Sequence, residues 1–264
     1  LETLQCLKRE LNKLNISLLV FNTAPEHKMS SLVTSFDVDS IFLQKEWTAE
    51  EQLSLEKVKN VLPKGIKIQE IYDQFLFDPE DVPFDAHETP VVFTQFRKLL
   101  EKNSKVKPLV EVKPQSIHSL TDQHTEIPNL IDLGFDSFEK DDRTAFPFEG
   151  GERSAGLRLN HYFFESKALG VYKKTRNGLL GLNYSSKLSA WLANGSISAR
   201  QIYWKVKLFE EQYFSNQSTY WLVFELIWRD FFKYTALKYG NSIFKLGGIL
   251  EKTYVWSTNQ KFVQ

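Results

Sequence analysis

The sequence predicts a partial α/β domain followed by an all-α domain, and three observations carry that reading. Over residues 1–77 helical and strand-like segments alternate, the rhythm of a parallel sheet with crossover helices. Over residues 78–145 prolines at 79, 83, 90, 108, 114 and 128 break every long period. From residue 146 onward the apolar residues recur at helical spacing. The division is therefore residues 1–77, a long connector at 78–145, and residues 146–264.

Each element follows from local pattern. Leu1, Leu4, Leu7, Leu11 and Leu14 share one helical face, with Lys8, Arg9 and Lys13 between them. Residues 16–21 (ISLLVF) are a short apolar run of the kind found in a buried parallel strand. Residues 22–25 break that run, and a helix is expected over 26–34. Residues 40–44 (SIFLQ) read as the next strand. Thr48 with Glu51 three residues on is a capping-box pattern, opening a helix to about residue 60. Pro63 and Gly65 end it, and residues 66–72 alternate as a strand. In the connector, residues 91–101 read as one helix. Helices are then expected over 151–169, 200–214 and 218–239, the last apolar on most of its circumference and so central.

Composition narrows the class. Of 264 residues, 42% are hydrophobic and 25% charged, which excludes wholesale disorder and a fibrous chain. No apolar run approaches the ~20 residues of a membrane helix. The single cysteine, Cys6, excludes a disulfide framework and a cysteine-based zinc site. Leu1 opens the chain and Met29 is its one methionine, so we expect a fragment or a processed chain, and the compartment stays unassigned.

The formal net charge of zero is a cancellation. Residues 1–145 hold 17 Lys and Arg against 25 Asp and Glu, a net of −8, while residues 146–264 hold 16 against 8, a net of +8. A basic half that is also rich in aromatics suits an anionic, flat partner such as a nucleotide or nucleic acid. A solvated basic face, or one that docks on the acidic half, explains the same numbers.

Two segments carry candidate chemistry. Residues 176–189 (RNGLLGLNYSSKLS) combine Gly178 and Gly181 with Ser185, Ser186, Ser189 and Lys187, before a helix through Leu188, Trp191 and Leu192. Such a segment offers hydroxyls, free backbone N–H groups and a cation to a phosphate. An ordinary serine N-cap is the commoner origin of such a pattern, and the segment lacks the Walker order. On the 218–239 helix, Glu225, Trp228 and Arg229 share one face, flanked by Trp221 and Phe232. Charges in so apolar a helix need a partner, either each other as a Glu225–Arg229 pair or a ligand. His27, His87, His118, His124 and His161 are scattered without metal spacing, and Cys6 reads as packing.

Taken together, residues 93–98 (FTQFRK), 150–152 (GGE), 172–180 (YKKTRNGLL), 184–192 (YSSKLSAWL) and 218–232 (STYWLVFELIWRDFF) resemble the photolyase/cryptochrome family, most closely its DASH-type cryptochromes. The resemblance covers nearly the whole chain. It implies an α/β antenna-binding domain, a connector and the first half of a helical FAD-binding domain. By that resemblance Tyr172 and Ser185, Ser186, Lys187, Leu188 and Ser189 hold FAD, and Arg229 reaches the flavin. Glu225 and Trp228 meet a flipped pyrimidine dimer, and Arg176 contacts a DNA phosphate. Glu46 falls where a methenyltetrahydrofolate antenna binds, and Trp256 aligns with the outermost of three electron-transfer tryptophans.

The implied activity is light-driven splitting of cyclobutane pyrimidine dimers, with single-stranded DNA preferred, by a monomer away from membranes. The alternatives are a blue-light photoreceptor without repair, or a truncated, non-functional product. The resemblance also implies that the family's remaining helical half and first strands lie outside residues 1–264. We therefore expect this polypeptide alone to bind FAD weakly or not at all and to be inactive.

Overall fold

The structure, a computed structural model, describes residues 1–255. In chain order its regular elements are α1 (Glu2–Lys13), α2 (Met29–Ser35), β1 (Ser40–Gln44), α3 (Ala49–Val61), β2 (Lys67–Ile71), α4 (Phe93–Asn103), α5 (Glu152–Asn160), α6 (Tyr172–Thr175), α7 (Ser189–Ala193), α8 (Ala199–Gln212) and α9 (Gln217–Tyr239). The fold is a small parallel sheet with helices, then a helical region, as the sequence leads one to expect. Among the described residues two compact units are assembled from separated stretches: residues 1–24, 74–76 and 106–228 form one, and residues 25–73, 77–105 and the stretch from 229 onward the other. Among the described residues no helix is long and apolar enough to cross a membrane, and no cluster of His, Cys, Asp or Glu could hold a metal ion.

The first unit is built on α5, α8 and the N-terminal part of α9. Tyr162, Phe163, Leu169, Trp191, Ile202, Val206 and Phe209 are buried to 1% exposure or less and form its core. Trp191 packs against both Phe146 and Phe148, with ring centroids at 4.9 and 5.6 Å, and its indole N–H donates to the Glu149 carbonyl at 3.1 Å. Ser198 opens α8 through a capping box with Gln201. Asn216 opens α9, its Oδ1 accepting from the N–H groups of Ser218 and Thr219 at 2.7 and 3.1 Å. The Gly150–Gly151 pair lets α1 approach closely. The Gly150 N–H donates to Glu2 Oε2 at 2.6 Å, and a Cβ on Gly151 would stand 2.6 Å from Cys6 Cβ. Gly151 also has φ +94°, which a side chain would strain.

Several elements differ from the sequence expectation. Residues 16–21 are not a strand. Their neighbour is the connector: Val20 N–H donates to Thr125 Oγ1 at 2.7 Å, and Ser17 Oγ accepts from Thr121 N–H at 3.0 Å. One connector side chain meets this backbone and one connector N–H meets a side chain of this segment, a pattern that is not a strand ladder. The 151–169 helix is α5 followed by a π-turn (His161–Glu165) and a 3-10 turn (Ala168–Val171). The expected 26–34 helix divides into a 3-10 turn (Pro25–His27) and α2.

In the second unit β1 and β2 pair in parallel, Ser40 opposite Lys67 through Gln44 opposite Ile71, with α3 as the crossover. The sheet buries only one face. Ile41 and Leu43 are partly covered, whereas Phe42 is 63% exposed. Thr48 caps α3 by position, but its hydroxyl goes to the Glu51 carboxylate and not to a backbone N–H, so the capping box is incomplete. Phe93 meets Phe231 edge to face, and Phe96 packs at a tilt against Phe231 and Tyr234. Asp230, fully buried, accepts from Phe77 N–H at 2.9 Å, and the Tyr234 hydroxyl donates to the Phe77 carbonyl at 2.9 Å.

Candidate functional site

The phosphate-type segment lies in the first unit. α7 begins at Ser189 and has only five residues, too short for a helix dipole to matter much. The geometry of the preceding loop is what carries interest. Lys187 has φ +64°, an uncommon conformation for a residue with a side chain, and the next residue, Leu188, returns to φ −77°. Alternation of this kind turns successive N–H groups toward a common concavity that suits an anion. Lys187 Nζ donates to the Tyr184 hydroxyl and stands 3.6 Å from that ring's centroid. Ser186 and Leu188 are buried, Ser185 and Lys187 half-buried, and Ser189 is exposed.

A residue that sequence reasoning missed underlies this loop. Arg158 on α5 is 4% exposed. Its Nε donates to the Ser186 carbonyl at 3.0 Å, Nη1 to Asn183 Oδ1 at 2.8 Å, and Nη2 to the carbonyls of Leu182 and Ser185 at 2.8 and 3.0 Å. The guanidinium lies 5.0 Å from the ring centroids of both Phe148 and Tyr162. A signal for it exists in the sequence: Arg158 interrupts an apolar helical stripe of Ala155, Leu159 and Tyr162. Burial pushes the Arg158 pKa down from its usual value, yet a guanidinium keeps its proton at any physiological pH.

The second cluster, in the same unit, joins α6 to α9. Arg176 Nη1 and Glu225 Oε1 form an ion pair at 2.8 Å, with about 30% of each side chain exposed. The alternative of an intrahelical Glu225–Arg229 pair is thereby corrected: the carboxylate turns to Arg176, on the neighbouring element. On the same stripe of α9, Trp221 stacks on Phe224 at 4.6 Å, and Phe224 meets Trp228 edge-on at 6.5 Å. Lys173 Nζ sits 4.2 Å over the Trp221 ring. The Trp221 indole N–H is shielded from solvent and has no acceptor among the described residues. α9 is therefore less central than its composition suggested: Leu222, Val223, Leu226 and Ile227 are buried, while the Trp221, Phe224, Glu225 and Trp228 stripe is partly open.

Tyr172 is 7% exposed beneath this stripe's ion pair. Burial pushes its phenol well above the usual value, the Glu225 charge adds to that, and Arg176 opposes it. The phenol is thus a neutral donor across the physiological range.

The remaining predicted residues lie in the second unit. Arg229 Nη1 stands 3.9 Å from Asp230 Oδ1, and burial lowers its pKa against that carboxylate's pull. Glu46 accepts from the Gln44 amide, and its carbonyl accepts from Gln52. It edges a cavity of about 340 Å³ floored by Met29, Ile41, Leu43 and Leu55. Lys233 feels the Glu46 charge, although burial and then Arg229 outweigh it and lower the Lys233 pKa. Trp256 lies outside the described residues.

Comparison with known proteins fits this layout. The DNA photolyase family model matches residues 1–115. The chain is 38% identical to Cryptochrome DASH of Danio rerio and 40% identical to that of Xenopus laevis, each over 99% of this chain and 51% of the relative. It superposes on the crystal structure of a Synechocystis sp. cryptochrome with a TM-score of 0.92 and 36% identity, over 99% of this chain and 55% of that one. A class III photolyase from Agrobacterium tumefaciens shares the fold alone, with a TM-score of 0.74 at 18% identity, over 99% of this chain and 54% of that one. The chain is similar to the photolyase/cryptochrome family over nearly its whole length. Within that family it is similar to the DASH cryptochromes, and it spans about half the length of the curated relatives it matches.

Proposed function

We propose that this chain works as part of a DASH-type flavoprotein that repairs cyclobutane pyrimidine dimers in single-stranded DNA under blue light. The observation that carries the reading is the half-open face of α9, where an Arg–Glu ion pair adjoins a ladder of aromatic rings. That face offers an anion contact, a hydrogen-bonding carboxylate and a stacking platform, which are the three needs of an unstacked nucleotide.

When bound, reduced FAD supplies the photoexcited electron that opens the cyclobutane ring, and methenyltetrahydrofolate supplies light harvesting. The donor set of the 182–189 loop fits the flavin's pyrophosphate. Lys187 brings charge, Ser185, Ser186 and Ser189 bring hydroxyls, and the left-handed turn at Lys187 brings converging N–H groups. Tyr172, kept neutral by burial, donates a hydrogen bond toward the same cofactor. Arg229 is assigned to the flavin from the family resemblance. In the second unit, the largely apolar cavity edged by Glu46 offers a folate heterocycle aliphatic walls and a carboxylate. Trp256 keeps its proposed role as an outer electron donor.

At the DNA-facing stripe Trp228 stacks on the extruded bases, and Glu225 accepts a hydrogen bond from their edge. Arg176 leaves Glu225 for a backbone phosphate. Anisotropy titration of a labelled single-stranded oligonucleotide carrying one dimer tests this. W228A weakens binding by about 1–3 kcal/mol, the worth of one stacked base. R176Q lowers the slope of log K against log salt by roughly 0.7, the loss of one single-strand phosphate contact. Unchanged affinity in W228A and an unchanged slope in R176Q would remove this face from the DNA interface.

A further inference from the structure

The Leu182, Ser185 and Ser186 carbonyls all accept from one buried guanidinium, that of Arg158. The backbone N–H groups of residues 182–188 have no acceptor among the described residues. No carboxylate within that set pairs with Arg158 either. Its charge is met only by carbonyl dipoles, the Asn183 amide and the faces of Phe148 and Tyr162. A buried cation without a counter-ion is costly in a protein that binds nothing near it. It becomes reasonable where an anion completes the set.

We propose that Arg158 is the positioning residue of the 182–188 loop: it draws the loop's carbonyls inward, leaves the loop's N–H groups for a diphosphate, and sets a permanent positive charge behind them. This inference rests on the assignment of that loop to the flavin pyrophosphate, and it deepens that assignment. α7 is too short to supply the charge of a helix N-terminus. Lys187, the one cation on the loop itself, is held against Tyr184 and keeps its charge. Arg158 therefore adds from beneath the charge that a helix dipole adds in other phosphate loops. It touches neither cofactor nor substrate, and acts through backbone it holds in place.

The test compares the full wild-type chain with R158M and R158K. Inorganic pyrophosphate is the probe in calorimetry, and amide order parameters are read by NMR relaxation. In the wild type the amides of 182–188 are rigid, with order parameters near ~0.85. Added pyrophosphate slows their hydrogen exchange. In R158M the same amides fall below ~0.6 while those of α8 stay rigid. Pyrophosphate affinity drops at least about tenfold, the scale of one lost hydrogen bond to a charged group. R158K, which keeps the charge but not the planar fork, regains only part of that loss.

Should R158M fail to fold, N183A, which removes a single bond to Nη1, is expected to mobilise the loop and weaken pyrophosphate binding with the core intact. Affinity equal to wild type in R158M, or in N183A as its substitute, overturns the inference. So does lost affinity with a loop as rigid as before. A wild-type chain that binds no pyrophosphate while Arg158 still orders the loop is a different pattern. It overturns the assignment of the loop to a diphosphate, and with it the anion half of this inference.

Discussion

Glu210 shows how a single carboxylate fastens two helices. It sits near the end of α8 and accepts from Lys207 Nζ at 2.8 Å, from Thr219 Oγ1 on α9 at 2.6 Å and from Ser215 Oγ at 3.1 Å. Burial alone would raise its pKa, but these hydrogen bonds and the Lys207 charge outweigh it, and the pKa falls below 4.5. A carboxyl depressed in the folded state stabilises fully above its unfolded value and loses that contribution as pH falls through the folded value. E210Q is therefore expected to cost about 1 kcal/mol at neutral pH, and to cost progressively less as pH falls below the ordinary carboxyl range, in urea denaturation across that range. Tyr162 behaves in the opposite sense. Burial raises its phenol to about 12, against the nearby Arg158 charge. Its contribution is whole below pH ~10 and lost as pH rises toward the folded value. Tyrosinate absorbance should show a late-ionising class that includes Tyr162 and Tyr172, and Y162F should shorten that class by one group. A titration completed near pH ~10 would contradict the burial described for both rings.

At the scale of elements, legibility followed periodicity and failed where partners decide the outcome. α1, α4, α8 and α9 were readable because each repeats apolar residues at helical spacing over eleven residues or more. Residues 16–21 have the composition of a buried strand, but a strand needs a ladder of backbone bonds, and the connector meets this segment through bonds that each use one side chain. Arg158 escaped notice because a basic residue in a helix is ordinarily solvated. Its position on an apolar stripe was the clue, and only the fold reveals that Asn183 and three carbonyls await it. The serines and Lys187 were legible as phosphate-type chemistry, whereas the left-handed turn at Lys187 was not. Two substitutions test the element-level account. S198A removes the α8 cap and should cost about 1 kcal/mol in chemical denaturation. G151A should cost more than that. It adds strain at φ +94° to a contact of 2.6 Å with Cys6 Cβ, and α1 must move to relieve it. Equal stability in G151A would mean that α1 does not pack on that glycine.

For the whole molecule, the zero net charge conceals a division that matters for binding. Of the +8 of residues 146–264, residues 146–228, which carry the phosphate-type loop and the aromatic stripe, hold 10 Lys and Arg against 6 Asp and Glu, a local excess of +4. Such a field raises encounter rates with polyanions and weakens as salt is added. Similarity to the family runs over nearly all of this chain, and the chain spans about half of each relative, so the proposed activity rests on the site chemistry argued above. The most direct measurement is the loss of cyclobutane dimers from a single-stranded oligonucleotide, in blue light and in darkness, by the natively expressed protein carrying reduced flavin. The account predicts repair only in the light, falling at least about tenfold in W228A at subsaturating DNA. Dimers that persist under blue light with the flavin intact and the oligonucleotide bound would contradict it.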